Sequence, residues 1–118
     1  MSAYIVAATR SAAGRHNGAL RNLHPVTLGG LVLNGLMDKV PTLDPVLVDD
    51  VIFGCVSQVG ENAFNLARQS VLSSNLPESV PGTTVDRQCG SSQQALHFAA
   101  QAVISGTQVR MIDQTPRQ

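Results

Sequence analysis

The residue best suited to covalent chemistry is Cys89, which lies between a strand-like run and a strong helical pattern. Upstream, residues 80–85 are rich in β-branched side chains and are interrupted only by Pro81 and Gly82. Downstream, apolar residues recur at helical spacing until Gly106, a typical helix stop. These apolar residues are Ala95, Leu96, Ala99, Ala102 and Val103. The pattern predicts that Cys89 lies at or just before the N-terminus of a helix.

A cysteine in that position is suited to nucleophilic attack. Unpaired backbone N–H groups and the positive end of the helix dipole favour the thiolate over the thiol, and the thiolate is the form that attacks. Gly90, Ser91 and Ser92 follow and add little bulk, so a substrate could approach closely. The alternative is a buried structural cysteine. We predict that Cys89 is a nucleophile.

Several motifs in the chain resemble those of one enzyme family. The run Cys89-Gly90-Ser91-Ser92, followed by Gln94-Ala95, resembles the nucleophile motif of the thiolases, which make and break β-ketoacyl-CoA. The resemblance covers about residues 3–107, and many members carry asparagine where this chain has Asp86. The other matching runs are Tyr4-Ile5-Val6-Ala7-Ala8-Thr9-Arg10, Asp50-Val51-Ile52-Phe53-Gly54-Cys55 and Asn65-Leu66-Ala67-Arg68-Gln69.

The resemblance implies an α/β fold of the thiolase type, of which this chain holds an incomplete N-terminal half. It also implies acyl transfer between CoA thioesters through an acyl-cysteine intermediate on Cys89, by thiolytic cleavage or Claisen condensation of β-ketoacyl-CoA. Acyl-CoA and acetyl-CoA would be substrates, no cofactor would be bound, and full-length members would be homo-oligomers. The family's activating histidine and second cysteine match no residue here. We therefore expect negligible turnover from the isolated chain.

Three other interpretations stay open. The chain could be a non-catalytic fragment that self-associates or pairs with a full-length subunit through residues 80–85. Cys89 could be a redox-sensing thiol, but this role needs a resolving partner, and Cys55 is expected to be too buried to serve. A ketosynthase of the same broad fold is the third, although the extent of matching sequence favours a thiolase.

The composition of the 118-residue chain argues against several classes of function. Its 8 Lys and Arg residues balance 8 Asp and Glu residues and are scattered, so no basic stripe indicates nucleic acid or an anionic membrane. No apolar run approaches membrane-spanning length, and the N-terminus lacks a signal-peptide pattern. The two cysteines lack metal-ligand spacing and suit a reducing compartment. We expect a cytoplasmic protein with no metal, nucleic acid or membrane partner.

Alternating strand and helix patterns predict an order of β-α-β-α-β-α, typical of a parallel sheet covered by helices. Predicted strands are 4–8, 51–55 and 80–85, and predicted helices are 25–40, 62–74 or 64–74, and the stretch between Cys89 and Gly106. Gly29, Gly30 and Gly35 weaken the first helix and indicate close packing on a neighbour. The predicted domain is 1–107, and residues 108–118 are predicted to be a divergent polar tail.

The three histidines are candidate bases for Cys89. His97 follows it by eight residues, about 12 Å along a helix, which is too far for a hydrogen bond to the thiol. His16 and His24 lie in or beside loops. We predict structural or solvated roles for all three.

Other polar or reactive residues of the chain are expected to have structural or solvated roles. Cys55 ends a predicted buried strand and is expected to be a core residue. Asn62 is predicted to cap the second helix. Asp49 and Asp50 are adjacent acids at the start of a strand and are expected to be solvated, not to bind a metal.

Overall fold

The computed structural model describes residues 1–114 and contains a three-stranded parallel sheet with helices on both faces. The helices are α1 (Pro25–Met37), α2 (Leu66–Leu72) and α3 (Ser91–Ser105), and the strands are β1 (Asp50–Gly54), β2 (Gly82–Val85) and β3 (Met111–Gln114). Strand β1 is central and pairs in parallel with β2 on one side and β3 on the other. The predicted α/β class with a parallel sheet is confirmed.

The central strand is buried on both faces, as a parallel sheet requires. On one face, Phe53 is 1% exposed and belongs to a core cluster with Leu33 of α1 and Val71 of α2. On the other face, Gly54 lies against the first residues of α3, where a Cβ on Gly54 would be 2.3 Å from the backbone nitrogen of Ser92. Helices α1 and α2 therefore cover one face, and α3 covers the other.

Two glycines allow α1 to approach α2 closely. A Cβ on Gly29 would lie 2.2 Å from Ser70 Oγ, and a Cβ on Gly30 would lie 2.8 Å from the carbonyl oxygen of Ser73. The predicted packing role is confirmed at these two positions. It is wrong for Gly35, because no atom lies within 4 Å of a Cβ built there.

Helix α2 begins at Leu66, later than the predicted start near Asn62 or Phe64. The predicted cap is wrong, because Asn62 ends a 3₁₀ turn and Asn65 is the capping residue. The Asn65 backbone is left-handed, with φ of 60°, and its Oδ1 accepts a hydrogen bond from the Arg68 N–H at 3.2 Å. An asparagine tolerates this conformation better than most residues.

Residues 4–8 do not form the predicted buried strand. Tyr4, Ile5 and Val6 are 82%, 77% and 85% exposed, and none is assigned to a strand. Strand β1 has β2 and β3 on its two sides, so neither of its edges remains for this run. The side chain of Lys39 donates a hydrogen bond to the Ala8 carbonyl at 2.7 Å. The β-prone composition of residues 4–8 is therefore not sufficient to pair this run with the sheet.

Strand β3 lies within the segment predicted to be a polar tail. Asp49 anchors the chain entering it, since Asp49 Oδ2 accepts hydrogen bonds from the backbone N–H groups of Val109 at 2.7 Å and Arg110 at 2.8 Å. The Arg110 amide, then that of Val109, lowers the pKa of Asp49. Ile112 is 7% exposed and joins the core. Residues 115–118 of the predicted tail lie outside the described residues.

Asp113 occupies the face of β3 opposite to Ile112. It pairs in register with Ile52 of β1, and paired residues of parallel strands point to the same face. This is the face that α3 covers. Burial raises the pKa of Asp113, because the charged carboxylate loses hydration there.

Two further properties concern residues 1–114 only. None of the helices in this part of the chain combines the length and apolar character that a membrane crossing requires. Within the same residues, His, Cys, Asp and Glu side chains do not gather in a group of three that could hold a metal ion.

Candidate active site

Cys89 lies in the tight turn, residues 86–90, that joins the end of β2 to the start of α3. Its thiol is free and exposed, and Gly90 is the N-cap residue of α3. The predicted position of Cys89, just before a helix N-terminus, agrees with this arrangement. The sulfur is therefore presented to solvent beside the positive end of a 15-residue helix.

The turn is held by hydrogen bonds between its own residues. The Gln88 N–H donates to Asp86 Oδ1 at 2.8 Å. Ser91 Oγ accepts from the Arg87 N–H at 2.8 Å and donates to the Gln88 carbonyl at 2.6 Å. The same carbonyl accepts from the Ser91 N–H at 3.1 Å. The N–H and the carbonyl of Gln88, the residue before Cys89, are thus both hydrogen-bonded.

Gln88 has a left-handed backbone, with φ of 49°. This conformation costs roughly 1 kcal/mol for a residue with a Cβ and persists only where surrounding contacts enforce it. The turn therefore stores local strain one residue before Cys89. Such strain is frequent at functional sites, where it fixes the direction of a side chain.

Strand β1 supports the turn from below. Gly54 contacts the backbone of Ser91 and Ser92 so closely that no side chain fits between them. The next residue, Cys55, donates its N–H to the Val85 carbonyl at 2.9 Å and is 5% exposed. Burial raises the pKa of the Cys55 thiol, and the nearby charge of Asp86 raises it further. Cys55 is thus a core residue, as predicted, and is kept in the unreactive thiol form.

A shallow hollow of about 170 Å³ lies on the first two turns of α3. It is lined by Arg87, Gly90, Gln93, Gln94 and His97. The Arg87 guanidinium donates a hydrogen bond to Gln94 Oε1. Sites for drug-sized ligands are usually about 300–1,000 Å³, so these residues form part of a wall and not an enclosed pocket.

No histidine in the described part of the chain makes a hydrogen bond to Cys89. His24 Nδ1 accepts from the Val26 N–H at 3.3 Å and caps α1. His16 and His97 are exposed. The prediction of structural or solvated roles agrees with these positions. Within residues 1–114, the candidate nucleophile therefore has no hydrogen bond to a histidine.

Sequence reasoning missed three residues of this site: Gln88, Ser91 and Gly54. The left-handed Gln88 has no sequence signal, because glutamine is not typical of that conformation. The sequence around Ser91 indicates only its small size, although its hydroxyl connects the turn to the helix. Gly54 ends an apolar strand run, and a glycine there is a signal of close backbone approach that could have been used.

Comparison with known proteins identifies the family. The chain matches the family model for the N-terminal domain of thiolase over residues 3–112. It is 56% identical over 105 residues to the steroid 3-ketoacyl-CoA thiolase FadA6 of Mycobacterium tuberculosis, covering 89% of this chain and 26% of that protein. It is 43% identical over 104 residues to the 3-oxoadipyl-CoA/3-oxo-5,6-dehydrosuberyl-CoA thiolase of Escherichia coli K12, covering 88% and 26%.

A solved structure gives the same result for the fold. The crystal structure of the Bacillus anthracis acetyl-CoA acetyltransferase superposes with a TM-score of 0.78 at 35% identity, covering 86% of this chain and 25% of that one. The chain thus spans about a quarter of the length of these relatives. The boundary between residues 107 and 108 and the role of Cys89 stay predictions. Through the match over residues 3–112, the exposed cysteine turn and the sheet that carries it, the chain belongs to the thiolase family.

Proposed function

We propose that this chain carries the nucleophile of a thiolase-type acyltransferase, and that Cys89 is that nucleophile. The observation that carries the proposal is the geometry of the turn: an exposed, free thiol on a strained, hydrogen-bonded connection between β2 and α3. The second cysteine, Cys55, is buried in the core and does not compete for substrate. Membership of the thiolase family supports acyl transfer as the reaction class.

The substrates would be β-ketoacyl-CoA and other CoA thioesters. The Cys89 thiolate attacks the keto carbonyl of β-ketoacyl-CoA, and the bond between the α and β carbons breaks. The departing carbanion of acetyl-CoA takes up a proton, and the acyl group stays on sulfur. The thiolate of CoA then attacks this acyl-cysteine and releases acyl-CoA. Covalent capture divides one difficult transfer into two easier ones.

The turn would also help to bind the developing oxyanion. The backbone N–H of Cys89, at the start of α3, is the proposed donor. Removing one such donor typically costs about 3 kcal/mol of transition-state stabilisation. The steps also need a group that accepts and returns protons, and none of the three histidines occupies such a position. We therefore propose that the 118-residue chain alone can be acylated but does not turn over.

The direct test is intact-protein mass after incubation with acetoacetyl-CoA, followed by peptide mapping. We expect one acetyl group on Cys89 and no catalytic release of acetyl-CoA beyond that single event. Cys89→Ser should abolish the adduct, and Cys55→Ala should retain it, since Cys55 is buried. A folded wild-type chain without an adduct, or an adduct that survives in Cys89→Ser, would contradict the proposed role.

A second candidate is a non-catalytic fragment that self-associates or pairs with a full-length subunit. The observation in its favour is unpaired, apolar surface: β2 is an edge strand of the described sheet, and Phe64 near it is 88% exposed with φ of 67°. Tyr4, Ile5 and Val6 are also exposed. Edges and patches of this kind favour association.

Sedimentation equilibrium across a concentration series separates the two candidates. Association that is lost on Phe64→Asp, without any acetylation of Cys89, would favour the fragment role. A monomer that becomes acetylated would favour the acyltransferase role.

Both cysteines are free, and we propose a reducing, cytoplasmic location because the nucleophile must stay reduced.

A further inference from the structure

The hydroxyl of Ser91, the first residue of α3, is buried and forms hydrogen bonds with the turn that carries Cys89. The residue is 3% exposed. Its Oγ accepts from the Arg87 N–H at 2.8 Å and donates to the Gln88 carbonyl at 2.6 Å. Asp86 Oδ1 lies 3.5 Å away and is a poorer acceptor for the single hydroxyl proton. The hydroxyl therefore connects the backbone of Arg87 to the backbone of Gln88.

These partners distinguish Ser91 from an ordinary serine at a helix start. A capping serine accepts a hydrogen bond from an N–H two or three residues further into the helix. Ser91 reaches backwards instead, to Arg87 and Gln88, which lie outside α3. Its hydrogen bonds act on the turn that presents Cys89, and they leave the helix amides free.

The conformation of Gln88 requires such support. At φ of 49° the residue is in the left-handed region, which is unfavourable for a residue with a Cβ such as glutamine. If Gln88 returned to an ordinary conformation, the Cα–Cβ bond of the next residue, Cys89, would rotate with the chain. The sulfur would then point in a different direction, although the helix behind it stayed intact.

We propose that Ser91 is a positioning residue, whose hydroxyl holds Gln88 in the left-handed conformation and thereby fixes the direction of the Cys89 sulfur. The inference rests on the proposed function, because it matters for catalysis only if Cys89 is the nucleophile. Asp86 assists from the other side through its bond to the Gln88 N–H. Gly54 fixes the depth of Ser91 by its close contact with the Ser91 backbone.

The test compares two reactions of Cys89 by site-resolved mass spectrometry. Acetylation by acetoacetyl-CoA needs a directed sulfur, whereas alkylation by iodoacetamide, a small reagent, needs only an exposed one. In Ser91→Ala we expect acetylation to slow at least tenfold, in line with the losses of up to about 10²-fold seen for misplaced groups. Alkylation should change far less than acetylation, because the exposure of the thiol and the helix beside it, which control that rate, are unchanged.

Two variants make the test specific. Ser91→Thr keeps the hydroxyl and should restore acetylation. Gln88→Gly placed on Ser91→Ala should also restore it, because glycine adopts a positive φ without help. The matched control is Ser105→Ala, which removes a hydroxyl from the far end of α3, where it donates to the Ala102 carbonyl at 3.0 Å. It should leave both rates unchanged.

Equal acetylation rates in Ser91→Ala and wild type would overturn the proposal. A parallel fall in both reactions, with no recovery from Gln88→Gly, would also overturn it and leave Ser91 a purely structural residue. If the wild-type chain is not acetylated at all, the proposed function fails separately. The positioning role is then judged by the rate with a bulky aromatic disulfide relative to iodoacetamide. That ratio must still fall in Ser91→Ala and recover with Gln88→Gly, or the proposal is wrong.

Discussion

Replacing Gly54 by alanine should separate β1 from the helix that carries the cysteine turn. A Cβ at this position would lie 2.3 Å from Ser92 N, 2.4 Å from Ser91 C and 2.6 Å from Ser91 O. All three are backbone atoms, so no rotamer change can relieve the contact. Moving the closest atom from 2.3 Å to an ordinary contact near 3.4 Å requires a displacement of about 1.1 Å at the start of α3.

The magnitude follows from this displacement. Overpacking a core usually costs about 1–3 kcal/mol, and contacts with backbone place Gly54→Ala at the upper end, at about 3 kcal/mol. A domain with a free energy of unfolding of about 5–15 kcal/mol, the usual range, remains folded after a loss of this size. The variant should therefore fold, with lower stability and with the start of α3 shifted. Acetylation of Cys89 should slow by at least tenfold, because the turn moves with the helix.

Gly35→Ala is the matched control, since it makes the same chemical change in α1 where nothing lies within 4 Å. Alanine there should raise the free energy of unfolding by about 0.5–1 kcal/mol, through higher helix propensity. The assay is urea unfolding followed by circular dichroism, with acetylation rates measured on the same samples. The reasoning is refuted if Gly54→Ala unfolds within about 0.5 kcal/mol of wild type, or if Gly35→Ala loses as much stability as Gly54→Ala.

Three further predictions concern stability and its dependence on pH. Ser70→Ala should raise the free energy of unfolding by about 1 kcal/mol, because Ser70 Oγ is buried without a hydrogen-bond partner among residues 1–114; a lower urea midpoint would contradict this. Asn65→Ala should lower the free energy of unfolding by about 2 kcal/mol, since it removes the hydrogen bonds to the Arg68 N–H and to the Gly82 carbonyl. Asn65→Gly should lower it by less, because glycine accepts the left-handed backbone. Equal losses in the two variants would rule out the backbone part of the argument. Asp113 has a raised pKa when folded, so its ionisation opposes folding above that pKa and the penalty disappears as the pH falls through it. Asp113→Asn should accordingly stabilise the chain at pH 7 and lose this advantage in acid, which unfolding curves at both pH values would detect.

Local signals in the sequence were sufficient for the elements around the cysteine. The end of α3 was predictable because Gly106 adopts φ of 77°, a conformation that suits glycine at a helix C-terminus. The position of Cys89 followed from the change between strand and helix periodicity. Both features depend on residues within a few positions of one another, and local patterns are reliable at that range.

Long-range pairing was not predictable from the same signals. Residues 4–8 have the composition of a buried strand, yet β3 takes the place beside β1. Strand β3 lies in a segment of mostly polar sequence, and its contacts are distant in the chain: Asp49, some 60 residues earlier, accepts hydrogen bonds from the amides of Val109 and Arg110. An apolar run indicates a preference for extended structure, but the choice of partner depends on contacts that no short window contains.

The central position of β1 has a consequence for how the chain acquires its structure during synthesis. Val51 pairs with Gly82, 31 residues later (82 − 51), and with Ile112, 61 residues later (112 − 51). At about 5–20 residues per second on the ribosome, the second partner is made roughly 3–12 s after the first strand. Contacts between residues so far apart in the sequence form slowly. The ribosome therefore synthesises the turn around Cys89 before β3, and during that interval β1 has only one of its two neighbouring strands.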